Sequence, residues 1–103
     1  SLSSTIWDMK ILVVEDEKNL LETVTAFLQG EGFVCEKAAS YFAAEDKLAA
    51  FDYDVVILDI TLPDGNGLDL LEKIKASGSE AGVLIVSARN SLDDRLKGLD
   101  LGA

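Results

Sequence analysis

Val55-Val56-Ile57-Leu58-Asp59-Ile60-Thr61-Leu62-Pro63-Asp64-Gly65-Asn66-Gly67 sets an unbroken apolar run directly before an aspartate and then dissolves into turn-forming residues. A continuous, largely β-branched run of this length suits a strand buried on both faces, the habit of a parallel sheet covered by helices on each side. Two further runs share the character, Ile11-Leu12-Val13-Val14 and Val83-Leu84-Ile85-Val86. A weaker one, Phe33-Val34-Cys35, reads as a strand nearer an edge.

Helical patterns fill the intervals. From Lys18 to Gln29 the residues Leu20, Leu21, Val24, Phe27 and Leu28 form one apolar stripe, and Gly30 and Gly32 follow as stop signals. Ser40 is placed to cap a second helix through about Ala50. Gly67 opens a third, with Leu68, Leu71, Ile74 and Lys75 on a shared face until Gly78. Ser91-Leu92-Asp93-Asp94 matches a capping box for a fourth, with Leu92, Leu96 and Leu99 along its stripe and Gly102 as its stop. Strand and helix therefore alternate four times, which predicts an α/β, doubly wound parallel sheet. No internal repeat or linker is visible.

At 103 residues the chain holds one domain, and 49% hydrophobic with 27% charged residues is the composition of a packed globular protein. Nine basic against nineteen acidic residues give a net charge of −10, which opposes binding to a phosphate backbone. The single cysteine, Cys35, cannot form an intramolecular disulfide and reads as a small buried thiol, fitting a reducing, cytoplasmic setting. No stretch approaches the roughly 18 to 20 apolar residues that cross a bilayer, and Ser1 to Asp8 lacks the basic start and apolar run of a signal peptide. Met9 stands where a natural chain would begin, so residues 1–8 read as a leader, partly non-native, ahead of a domain over residues 9–103.

In a doubly wound sheet the ligand site lies beyond the carboxyl ends of the strands, so the residues just after each apolar run are the first candidates. They are Glu15 and Asp16 after the first run, Asp59 after the third and Ser87 after the fourth, and the chain has no histidine. Each has an ordinary structural reading: an acid favouring a helix start, a turn residue, a hydroxyl bonded to backbone. Together they are harder to explain that way, because clustered carboxylates repel one another unless protonated or joined by a cation. An oxygen-only ligand set favours Mg2+ or Mn2+ over zinc, and Mg2+ commonly pairs one or two carboxylates with a phosphate oxygen. That combination points to phosphoryl chemistry, with a free Asp59 carboxylate oxygen as the nucleophile and the Ser87 hydroxyl as a partner for the resulting phosphoryl group.

Three segments carry a resemblance: Met9-Lys10-Ile11-Leu12-Val13-Val14-Glu15-Asp16-Glu17, the Val55 to Gly67 stretch, and Val86-Ser87-Ala88-Arg89. Together they resemble the CheY-like receiver domain of bacterial two-component response regulators, over residues 9–103. The resemblance implies a flavodoxin-like sheet of order 2-1-3-4-5, an order that general accounts of this fold already give as an example. It implies Asp59 as phosphoacceptor, Glu15, Asp16, Asp59 and the Ile60 carbonyl as the metal pocket, Ser87 as switch hydroxyl, and Thr61 and Arg89 as positions that tune hydrolysis. It implies a sensor histidine kinase as phosphodonor. The Gly98-Leu99-Asp100-Leu101-Gly102-Ala103 run is similar to regulators of the OmpR/PhoB type, whose receiver precedes a winged-helix DNA-binding domain, so DNA contact is expected only through such an effector domain.

Against the family's pattern, the sequence stops before a fifth strand, its terminal lysine and a fifth helix, and Lys97, inside the fourth helical pattern, is no substitute. Four strands in the order 2-1-3-4 are therefore expected, with an open edge on the fourth that invites self-association. Rival readings are a stand-alone phosphorelay or chemotaxis-type receiver and, more distantly, an aspartate-dependent phosphatase. The latter needs a second acid two residues after the nucleophile, where this chain has Thr61. A flavin or dinucleotide carrier needs a phosphate-cradling loop after the first strand, where this chain has Glu15-Asp16-Glu17-Lys18.

Overall fold

The computed structural model describes residues 9–86. The elements run β1 (Lys10–Val14), α1 (Lys18–Gly30), β2 (Val34–Ala38), α2 (Tyr41–Ala50), β3 (Val55–Asp59), β4 (Thr61–Leu62), β5 (Gly65–Asn66), α3 (Gly67–Ala76) and β6 (Gly82–Val86). The main sheet is parallel with the order β2-β1-β3-β6, so the first, second, third and fourth apolar runs take the expected places. The fourth helical pattern, from Ser91, and the leader, residues 1–8, lie outside the described residues.

The chain makes these elements for local reasons. Glu17 caps α1 by accepting from the Asn19 and Leu20 N–H groups, and Ser40 caps α2 by accepting from Ala43. Asn66 caps α3 through Leu68. Gly32, at φ 100°, turns the chain out of α1, and Gly78, at φ 78°, does so after α3. β2 extends three residues beyond the Phe33-Val34-Cys35 run, because its backbone pairs with β1 along Lys10 to Val14 whatever side chains it carries.

All four residues from Ile11 to Val14 are buried, as a strand covered on both faces requires. Leu12, Val14, Val56 and Leu58 pack against α2 and α3 with Ala44, Leu70 and Ile74. Ile11 and Val13 face the other way, onto Leu21 of α1, with Val24 and Leu28 partly buried beside it. β6 departs from the expectation of burial on both faces: Val83 and Ile85 pack on the α2/α3 side, while Leu84 and Val86 alternate with them and are exposed, Leu84 at 55%.

Two helix faces are rotated from the sequence reading. α3 buries Gly67, Leu70 and Ile74, and leaves Leu68 and Lys75 exposed with Leu71 at the margin. Gly67 sets this phase: a Cβ there would collide with the Asp59 backbone carbonyl oxygen, so the helix must begin with its bare residue inward, and Leu70 and Ile74 follow on the same side. α1 buries Leu21 and Thr25 and leaves Phe27 exposed. Thr25 is tolerated in the core because its hydroxyl donates to the Leu21 carbonyl at 2.6 Å.

The turn after Asp59 is more ordered than turn chemistry alone foretells. Thr61 and Leu62 pair antiparallel with Asn66 and Gly65, making a two-rung hairpin with Pro63-Asp64 at its tip. Neither Gly65 nor Gly67 has a positive φ; what each supplies is the missing Cβ. Among the described residues, no helix is long and apolar enough to cross a membrane.

Candidate functional site

β1 and β3 are neighbours in the sheet and end level with each other, Val14 registering with Leu58. This topology carries Glu15, Asp16 and Asp59 to one spot: each offers a carboxylate oxygen, and these oxygens lie within 4.8 Å of one another. Glu15 and Asp59 are buried, at 3% and 2% exposure, and Asp16 is exposed. The site is thus a rim of one solvated and two interior acids.

Glu15 is held at an electrostatic cost. One of its oxygens, Oε2, accepts from the Glu17 N–H at 2.8 Å, while Oε1 is buried without any hydrogen-bond partner. Burial, reinforced by the negative charges of Asp59 and Asp16 and opposed by the Glu17 N–H, pushes its carboxyl up to about 7. An orphaned, interior oxygen on a carboxylate that clusters with two others is the arrangement a hard cation relieves, and the all-oxygen donor set suits Mg2+ or Mn2+.

Asp59 closes β3 and is held from both sides of the chain. Its Oδ1 accepts from the Thr61 N–H at 3.2 Å, which sets the carboxylate against the first residue of the hairpin. The Ile60 N–H donates to the Val86 carbonyl at 3.3 Å, tying the strand end to β6. The Ile60 carbonyl, expected from the resemblance as a backbone ligand, accepts from Gly67 at 2.7 Å, which leaves it one lone pair for any further partner. Thr61 is exposed, two residues beyond Asp59. Ser87 and Arg89 lie outside the described residues; β6 brings the chain to Val86, which registers directly beside Asp59.

Two contributors escape sequence reasoning. Asp64, at the hairpin tip, accepts from the Tyr41 N–H at 2.7 Å and the Phe42 N–H at 3.1 Å, joining the loop that follows Asp59 to the start of α2. Its partners are 22 and 23 residues away, so no local motif announces the bond. Gly67 presses against the Asp59 backbone, and its burial was hidden behind its plausible role as a turn residue. Asn66, left among the turn residues by the sequence reading, does carry a local signal, since an Asn directly before a helix start is a preferred cap.

The comparisons with known proteins agree with this geometry. Residues 11–103 match the family model described as the response regulator receiver domain. The transcriptional regulatory protein PmrA of Pectobacterium parmentieri is 42% identical over 95 residues, which is 92% of this chain and 43% of that protein. The transcriptional regulatory protein CusR of Escherichia coli K12 is 39% identical over the same share of this chain and 42% of its own length. The chain thus spans less than half the length of these relatives. Among solved structures, the non-phosphorylated HemR receiver domain from Leptospira biflexa superposes with a TM-score of 0.74 at 36% identity, covering 93% of this chain and 77% of that one. Strand order, acidic rim and family match converge on one conclusion: the chain belongs to the response regulator receiver domain family.

Proposed function

We propose that Asp59 accepts a phosphoryl group from a sensor histidine kinase, in a Mg2+- or Mn2+-dependent reaction, and that the modified domain switches an output. The observation that carries this reading is the convergence of Glu15, Asp16 and Asp59 at the ends of β1 and β3, with a Glu15 oxygen left buried and unpartnered. Glu15, Asp16 and Asp59 would hold the cation, with the remaining lone pair of the Ile60 carbonyl available to it. Bound there, the ion would offset the clustered negative charge and polarise phosphoryl oxygens.

The chain's own residues do the rest. A carboxylate oxygen of Asp59 attacks phosphorus, the bond from phosphorus to the donor breaks, and the donor leaves with the bonding electron pair. The Thr61 N–H, on Asp59 Oδ1, holds that oxygen and leaves Oδ2 as the freer nucleophile. Ser87 bonds the new phosphoryl group, and Thr61 and Arg89 flank it and tune its hydrolysis. The product is a signalling state and not a released compound, so the domain is a phosphoacceptor and no enzyme in the ordinary sense.

The output is transcription regulation by an effector domain that binds DNA, a reading supported by the two regulators it is most usefully compared with, both transcriptional regulatory proteins. A net charge of −10 keeps this domain itself off DNA. The setting is cytoplasmic, and self-association uses the β6 side of the sheet.

Incubation with Mg2+ and acetyl phosphate, followed by intact mass, tests the core of this. One added phosphoryl group in the wild type and none in Asp59→Asn is the expected result. Equal addition to both proteins, or none to either, overturns the assignment of Asp59.

A further inference from the structure

We propose that Asp64 is a positioning residue of the acidic site, holding the loop that follows Asp59 in place by docking it on the start of α2. The inference rests on the reading of Glu15, Asp16 and Asp59 as a metal and phosphoryl site. It concerns a residue that contributes no atom to that site.

Three independent contacts make the dock. The two carboxylate oxygens of Asp64 are divided between two backbone donors of one helix end, Oδ1 on Tyr41 N–H at 2.7 Å and Oδ2 on Phe42 N–H at 3.1 Å. Gly65 lies flush on the Tyr41 ring, where a Cβ would come within 2.5 Å of a ring carbon. Lys73 of α3 also lies against that ring, its ammonium 5.2 Å from the ring centre, so the residue on which the hairpin rests is itself contacted from a second helix.

The hairpin transmits this to Asp59. Pairing of Thr61 with Asn66 and of Leu62 with Gly65 makes the tip and the base one short ribbon. At the base, the Thr61 N–H binds Asp59 Oδ1, and the Ile60 carbonyl is pinned by Gly67. An isolated two-rung hairpin is not stable in water, so its geometry is borrowed from what it docks on. Release of Asp64 from α2 therefore frees the Thr61 N–H as well as the tip. Partners of this indirect kind orient ligating carboxylates, and their loss weakens metal affinity about tenfold or more.

The test compares the wild-type chain with Asp64→Ala, Asp64→Asn and Tyr53→Phe. Tyr53→Phe removes the hydroxyl bonded to Glu36, away from the acidic site, and serves as a control for general destabilisation. Mg2+ affinity is measured by titration, and amide hydrogen exchange is followed at Thr61, Tyr41 and Phe42. Asp64→Ala should weaken Mg2+ binding about tenfold and speed exchange at Thr61 together with Tyr41 and Phe42. Asp64→Asn, which keeps one acceptor oxygen, should recover part of both effects, and Tyr53→Phe should change neither. Faster exchange confined to Tyr41 and Phe42, with Thr61 unmoved, overturns the proposal and leaves Asp64 a plain helix cap. A wild type that binds no Mg2+ is the failure of the site reading, and exchange at Thr61 still decides the coupling.

Discussion

Glu15 and Asp64 are carboxylates in two loops beyond the same ends of the sheet, and the protein treats them oppositely. Glu15 is buried beside two other acids with one oxygen unpartnered, and its carboxyl is pushed up to about 7. Asp64 is exposed; partial desolvation raises its carboxyl, but the N–H groups of Phe42, Tyr41 and Asp64 itself, with the Ser40 hydroxyl, outweigh this and hold it below the ordinary value. One acid is satisfied by hydrogen bonds to a distant helix end; the other keeps an oxygen the fold leaves unsatisfied, where a cation could bind. Local frustration beside full satisfaction is what distinguishes a site from its scaffold, since structure alone would select the second arrangement everywhere.

The largest test of this contrast is the pH dependence of stability without divalent ions. Because the Glu15 carboxyl is raised from 4.5 to about 7 on folding, the folded state holds its proton more tightly than the unfolded chain. Its contribution is fully present below 4.5 and is lost as pH rises through about 7. Each tenfold difference in proton affinity between the folded and unfolded states is worth about 1.4 kcal/mol, so this loss is the largest effect expected here. Denaturant titrations from pH 4.5 to 8 should show this fall in the wild type and a flatter profile in Glu15→Gln; a flat wild-type profile breaks the contrast.

Mg2+ should repair the same defect. At a concentration of 100 times its Kd, the ion should stabilise the folded state by about 2.7 kcal/mol. The rise in Tm should be larger at pH 8 than at pH 5, where a proton already occupies Glu15, and absent in Asp59→Asn. A pH-independent rise would place the ion elsewhere.

Gly67→Ala should disturb both regions, since the new methyl meets the Asp59 backbone at the point where the hairpin becomes α3. A loss of about 2 kcal/mol is expected from overpacking, with Mg2+ affinity falling in parallel. Unchanged unfolding would show that α3 shifts freely against β3.

The smallest effect belongs to Asp64. Its lowered carboxyl contributes stability that is present above the unfolded value of 3.8 and lost as pH falls through the lower folded value. The acid limb of the melting curve should therefore be shallower in Asp64→Asn than in the wild type, opposite in direction to the effect of Glu15→Gln above pH 4.5. Coincident acid limbs would show that the Tyr41 and Phe42 bonds do not discriminate the charged form.

Much of the fold was legible because parallel strands announce themselves: Ile11 to Val14 and Val55 to Leu58 need cover on both faces, and such runs are rare elsewhere. The meeting of Glu15, Asp16 and Asp59 was legible too, since strand ends in a doubly wound sheet gather the residues that follow them at one edge. Helix phase was not. The apolar stripe of α3 permits either Leu68 or Leu70 to face inward, and only the collision between Gly67 and the Asp59 carbonyl chooses. Phe27 was misplaced in α1 for the same kind of reason, because periodicity describes a helix and says nothing of how wide a sheet face it meets.

By itself, then, the sequence determined strand order of appearance, the alternation with helices, the family and the carboxylates Glu15, Asp16 and Asp59, because each is written in contiguous residue types. Only the tertiary structure decided that Glu15 keeps an orphaned oxygen, that Gly65 and Gly67 are needed for space and not for φ, and that Asp64 grips a helix 22 and 23 residues upstream. Those depend on which backbone atoms meet across the fold, and that is settled by the registers of β1, β3 and β6 together, not by any one segment.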